Sequence, residues 1–218
     1  MSWWQKAASE TQVTHRQRVW LYILATIIMF LLVIPTVIVI PMSFSESQYL
    51  EFPPREWSLR WYQEYLNTPR WVNATITSFK VATLTMLVAT PFGTMAAYGL
   101  FVSGGRMSKM LFFTLMTPMI VPVILIAIGT FYVFGRIGLV NSIFGLVMAH
   151  TVLSVPIVMI IVTSALRTYD LNQERVAQSL GSTRIRAFFE ITLPQLKFSI
   201  VTAALLAFLT SFDEVIIS

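Results

Sequence analysis

The stretch DLNQERVAQSLGSTRIRAFFEITLP, Asp170–Pro194, decides the fold, because it is the only long polar segment in the second half of a very apolar chain. It reads as a helix, a break and a second helix. Asp170 with Gln173 has the spacing of a capping box, in which each side chain satisfies the other residue's free N–H. Val176, Ala177 and Leu180 then share one face. Gly181 suits the left-handed conformation that ends a helix, and Ser182 is placed to cap the next one. Ile185, Phe188, Phe189 and Thr192 form a second, mostly apolar stripe. Pro194 lacks an N–H, so the spacing predicts a break there. The expectation is a bent helical hairpin set between two membrane spans.

Composition bounds everything outside the hairpin. Of 218 residues, 56% are hydrophobic and 11% charged. The charged share is under half that of soluble domains, so the chain belongs in lipid. No cysteine is present, which excludes disulfides and thiolate metal sites. The formal charge of +5 follows membrane orientation, as counted below, and does not point to nucleic acid.

In chain order, residues 1–18 form a basic segment with interfacial tryptophans, Trp3, Trp4 and Trp20 nearby. Val19–Pro41 is an uncharged run long enough to cross a bilayer core of about 30 Å. Residues 42–72 form a polar loop. In it Pro53 and Pro54 exclude helix, and a short helix from Ser58 aligns Trp57, Trp61, Tyr65 and Leu66 on one face to lie on the membrane surface. Further spans are expected over Asn73–Val102, Met110–Phe134, Ser142–Leu166 and Gln195–Ser218. Ala89, Gly93 and Ala97 recur every fourth position, which lets another helix approach closely. Pro118 and Pro122 are expected to break the third span twice. His150 reads as a packed, hydrogen-bonded residue within the fourth. The chain is thus an all-α polytopic membrane protein with five transmembrane helices. Residues 1–18 lie outside the membrane domain of residues 19–218.

Orientation follows from basic residues. With a cytoplasmic N-terminus, Lys6, Arg16, Arg18, Arg106, Lys109, Arg167, Arg175, Arg184, Arg186 and Lys197 lie inside, against Arg55, Arg60, Arg70 and Arg136 outside. That asymmetry satisfies the positive-inside rule and puts residues 167–195 in the cytoplasm. No phosphate-binding glycine loop, metal-ligand cluster or nucleophile motif is present, so no catalytic residue, metal or cofactor is expected. The adjacent acids Asp213 and Glu214 are the one polar pair at membrane depth. One reading has Asp213 attract a cationic solute at a pore mouth; the other has both mark the wet end of a span.

Ala177, Gly181, Ile191, Leu193 and Pro194 fit, in register, a loop of the form E-A-A-x-x-x-G-x9-I-x-L-P, with nine residues between Gly181 and Ile191. In this the chain resembles the permease subunits of type I bacterial ATP-binding-cassette importers. SLRWYQEYL, TPMIVPVILIAIG and LTSFDEVII extend the likeness to the spermidine/putrescine branch. The resemblance implies an inner-membrane permease fold and import of polyamines or related small cations. It also implies partners: ATPase subunits, a second permease subunit and an extracytoplasmic substrate-binding protein. The loop, with Glu174, Arg175, Ala177, Gly181, Ile191, Leu193 and Pro194, would dock on the ATPase, which alone would use ATP. Arg175 stands where the family's Glu is expected, and Glu174 comes one position early. The family normally continues to a sixth span, so a shortened chain is expected. Three other readings stay open: an interfacial helix that only tethers two spans, an ATP-independent channel or carrier, and a non-transporting scaffold.

Overall fold

The computed structural model describes residues 14–217, which are helical throughout their regular structure apart from one antiparallel bridge between Ser45 and Trp57. The tryptophans at 3 and 4 and Lys6 lie outside the described residues. The chain divides into two compact units at Val72.

In the first unit, α1 (Val19–Met42) is apolar around its whole circumference, as a span must be. The loop after it is tied back on itself. Glu46 N–H donates to Glu56 O at 3.2 Å, and Ser58 N–H donates to Phe44 O at 2.7 Å. The short helix α2 (Arg60–Asn67) starts two residues later than the sequence pattern suggests. Trp57 is held in the bridge to Ser45 and so lies off the helix. Tyr62, outside the expected stripe, hydrogen-bonds Ser43 Oγ at 2.7 Å and packs on Phe44.

The second unit is built on three rows of small or branched residues four apart. On α3 (Pro69–Ser103) the row is Val81, Thr85, Ala89, Gly93, Ala97, all buried. On α6 (Ile143–Leu166) it is His150, Ser154, Val158, Val162, Leu166, also buried. On α9 (Leu193–Phe212) Ala203, Ala207 and Ser211 continue the pattern. Such rows interdigitate as ridges and grooves, and small residues allow close approach where no hydrophobic effect drives helices together. Gly93 is needed for that contact: a Cβ there would lie 2.6 Å from Val158 Cγ1. At one end of the bundle His150 Nδ1 meets Ser211 Oγ at 2.8 Å, as expected of a packed histidine.

Two expectations about spans need correction. The third span, expected to be broken twice, is broken once, into α4 (Gly105–Ile120) and α5 (Val123–Ile137), bent by 100°. The break is single and falls at Val121, which Pro122 forces into an extended conformation, while Pro118 stays inside α4. Four helices are long and apolar enough to span, five if this pair is one span.

The last span also differs. Pro194 does not end the helix begun at Arg184; a continuous helix runs from Arg184 to Phe212. It comprises α8 (Arg184–Ala187), a π turn over Phe188–Thr192 and then α9. Leu193 N–H donates to Phe188 O, five residues back. This widened turn moves the preceding carbonyls off the pyrrolidine ring, removing the clash by which proline breaks a helix.

Candidate functional site

The hairpin between α6 and α9 gathers the residues singled out in the sequence. Its first helix, α7 (Asn172–Ser179), is started by Asp170, whose Oδ1 accepts the Asn172 N–H at 2.9 Å. No capping box forms, because the Gln173 side chain is engaged with Gln195 across the hairpin at 2.5 Å. Gly181 ends the helix at φ +93°, as its position implied. Its N–H donates to Gln178 O at 3.0 Å, and Ser182 N–H donates to Ala177 O, also at 3.0 Å. These are the paired bonds of a Schellman motif, and they fix the bend. The next cap is Thr183, not Ser182: Thr183 Oγ1 accepts the Arg186 N–H at 3.3 Å.

The face of α7 that carries Val176 and Leu180 is turned outward. Val176 and Leu180 are exposed, Ala177 half-buried, and the one buried side chain on the helix is Glu174, 3% accessible. Its carboxylate is met by three hydroxyls from three elements. Tyr98 on α3 donates to Oε2 at 2.7 Å, and Tyr169, in the α6–α7 link, donates to Oε1 at 3.4 Å. Thr192, in the π turn, also donates to Oε1. Tyr169 Oη and Thr192 Oγ1 also lie 2.9 Å apart; two hydroxyl hydrogens serve the three contacts of this triangle, so two of them are hydrogen bonds at a time. Burial, reinforced by the neighbouring carboxylates, pushes the Tyr169 phenol above its usual range despite the Thr192 bond. Tyr98 can reach the site because α3 has 35 residues, about 52 Å, and overshoots a 30 Å hydrocarbon core. Its ring packs on Phe188, centroids 4.6 Å apart.

Arg175, by contrast, points to solvent, its guanidinium 3.3 Å from Asn172 Oδ1. Ile191 and Leu193 are half-buried and Pro194 exposed at the foot of α9. The second stripe is split: Thr192 is fully buried, yet Ile185 is 73% exposed. Val176, Leu180 and Phe189 are exposed as well; Ile185 and Phe189, with Arg184, line an open cavity against Pro91 and Met95 of α3 and Ile200 of α9. Arg186 is paired with Glu190 at 2.9 Å.

Asp213 and Glu214 lie at the far end of α9, about 28 Å from Pro194 by helical rise. They follow the helix and are not on it: α9 ends at Phe212, and the Asp213 N–H closes its last turn on Leu209 O. The Asp213 side chain is exposed beside an open cavity of about 510 Å³ that Leu209, Thr210, Phe212 and Glu214 also line. Glu214 folds back to accept the Ile216 N–H at 2.9 Å. Both acids thus line the cavity, and Glu214 is also engaged with its own backbone. Among the described residues, no cluster of acids and histidines could hold a metal.

Tyr98, Tyr169 and Thr192 were not picked out as functional from sequence. The only hint was an acid displaced one position from the motif.

Residues 89–218 match the family model for the "Binding-protein-dependent transport system inner membrane component". The chain is 29% identical over 192 residues to the spermidine/putrescine transport system permease protein PotC of Haemophilus influenzae, covering 86% of this chain and 72% of that protein. It is 30% identical over 171 residues to the putrescine permease PotI of Escherichia coli, covering 74% and 60%. The molybdenum transport system permease protein ModB of Mycobacterium tuberculosis is also 30% identical, over 173 residues, covering 74% and 63%.

Proposed function

Since this chain belongs to the inner membrane components of binding-protein-dependent transport systems, we propose that it is the permease subunit of an ATP-driven importer of polyamines or related small cations. One observation carries the reading. The hairpin is bent at Gly181, anchored inward by a buried carboxylate and left with Val176, Leu180, Ile185 and Phe189 uncovered. Uncovered apolar side chains on a bent hairpin suit docking in a groove on a cytoplasmic ATPase. The chain itself supplies no catalytic group, so hydrolysis belongs to that partner. A second permease subunit and an extracytoplasmic receptor complete the assembly.

Placing the hairpin in the cytoplasm rests on the positive-inside count and on the α4–α5 pair crossing once. The polyamine assignment is supported by the PotC and PotI relatives and by Asp213 at the rim of its cavity. The ModB relative marks the alternative, an oxyanion cargo.

The test is affinity purification of the tagged chain from solubilised native membranes, beside Gly181→Asp. An ATP-binding partner retained by the wild type and lost by the variant supports the coupling role. Recovery of no ATPase with the wild type refutes it. Uptake of labelled putrescine against molybdate in whole cells decides the cargo.

A further inference from the structure

We propose that Glu174 is the positioning residue that transmits movement of the hairpin to the membrane helices, an inference that rests on the coupling reading above. Glu174 is the only buried side chain of α7, so the buried link between that helix and the bundle is its carboxylate. Besides it, α7 reaches α9 through the exposed Gln173–Gln195 bond, while Val176 and Leu180 face outward.

The chemistry of the link matters. An apolar contact is non-directional and lets one helix slide on another. Hydrogen bonds to a charged acceptor are directional and among the stronger ones available. Here one carboxylate takes hydroxyls from α3 (Tyr98), from the α6–α7 link (Tyr169) and from the π turn at the foot of α9 (Thr192). These are three elements that a transport cycle would have to move together. The charge is buried and no arginine or lysine forms an ion pair with it among the described residues. The hydroxyls therefore supply its compensation, and losing one leaves the others in place. That geometry fixes the orientation of the hairpin relative to α3 and α9, as well as its distance. A pull on α7 then reaches two membrane helices through one atom group. Arg175, one residue on, is in solvent and has no such connection.

The experiment uses the complex purified from native membranes and hydrogen exchange read with and without a non-hydrolysable ATP analogue. In the wild type, nucleotide should change exchange in the hairpin and at the far ends of α3 and α9. In Glu174→Gln, which keeps the shape but presents an amide N–H₂ to the hydroxyls, the hairpin response should remain. The response at the far ends should fall about tenfold, the weight of one charge-assisted hydrogen bond. Tyr98→Phe removes a single donor and leaves the carboxylate; a partial fall at α3 with α9 less affected is expected. If Glu174→Gln fails to assemble, Tyr98→Phe decides the matter alone. Far-end responses equal to wild type in the assembled variants overturn the proposal while leaving the importer reading intact. A wild-type complex whose hairpin ignores nucleotide overturns both.

Discussion

Replacing Gly93 with alanine tests the helix packing on which the whole membrane unit depends. The added Cβ would lie 2.6 Å from Val158 Cγ1, 2.7 Å from Val158 Cβ and 3.3 Å from Val155 O. Carbon pairs rest at about 3.5–4.0 Å, so α3 must retreat from α6 by about 1 Å. Nothing nearby gives: Val158, Met159 and Val162 are fully buried. The retreat also strips contact from Ala89 and Ala97, which share the row and are buried to the same degree. Overpacking of this kind costs about 1–3 kcal/mol. At about 2–4 °C per kcal/mol for a chain of this length, the melting temperature in detergent should fall by roughly 2–12 °C. The helical circular-dichroism melt reads this, since all six tryptophans precede Asn73 and a thiol dye is excluded because the chain has no cysteine. Val158→Ala alone should cost about 1 kcal/mol through the space it leaves. Combined with Gly93→Ala, it gives that space to the new methyl group, and the double variant should lose less than the sum of the two. Unchanged melting in Gly93→Ala, or strict additivity in the double variant, would refute the contact.

Three further outcomes are expected. Gly181→Ala places no atom near another, since nothing lies within 4 Å of its Cβ, so its cost is that of a positive φ alone, about 1–2 kcal/mol; faster protease cleavage within residues 170–194, with Gly181→Asn milder, checks this. Ser211→Ala leaves His150 without its Nδ1 partner while Nε2 already has none, and should lower thermal stability by about 1–3 kcal/mol, measured by the same circular-dichroism melt. Asp213→Asn should cut putrescine uptake several-fold with the complex intact on size exclusion; uptake equal to wild type removes Asp213 from the solute path.

Much of this architecture is legible from local pattern. Long uncharged runs announce spans because lipid tolerates little else, and Ala89, Gly93 and Ala97 announce a close helix contact because small residues permit one. Gly181 is readable because few residues but glycine take its φ. What escapes is non-local. Periodicity puts Val176 and Leu180 on one face, but does not say whether a helix buries its apolar face in its own chain. The hairpin does not: its apolar residues are left for something else, and three hydroxyls from positions 98, 169 and 192 make a home for the acid. No window along the sequence contains all of them. Pro194 was misread for a related reason, since whether a helix passes a proline depends on whether the turn before it can widen. The bend at Val121 is the converse case. Pro118 and Pro122 are chemically alike, and the sequence pattern does not say which one the backbone will obey.

The π turn over Phe188–Thr192 also sets a phase. Ile185 and Thr192 are seven residues apart, which on an uninterrupted α-helix puts them on the same side; one is in solvent and the other fully buried. The extra residue in the turn introduces a lag of about 100°, the angular share of one residue. The hairpin and α9 are thus like two lengths of screw cut with the same thread but joined out of step. A substitution between 188 and 192 leaves that step in place. Deleting a single residue there would remove it, turning Thr192 away from Glu174 and swinging the whole of α9, Asp213 included, to a different azimuth. For this segment, length is the more tightly constrained property and composition the looser one.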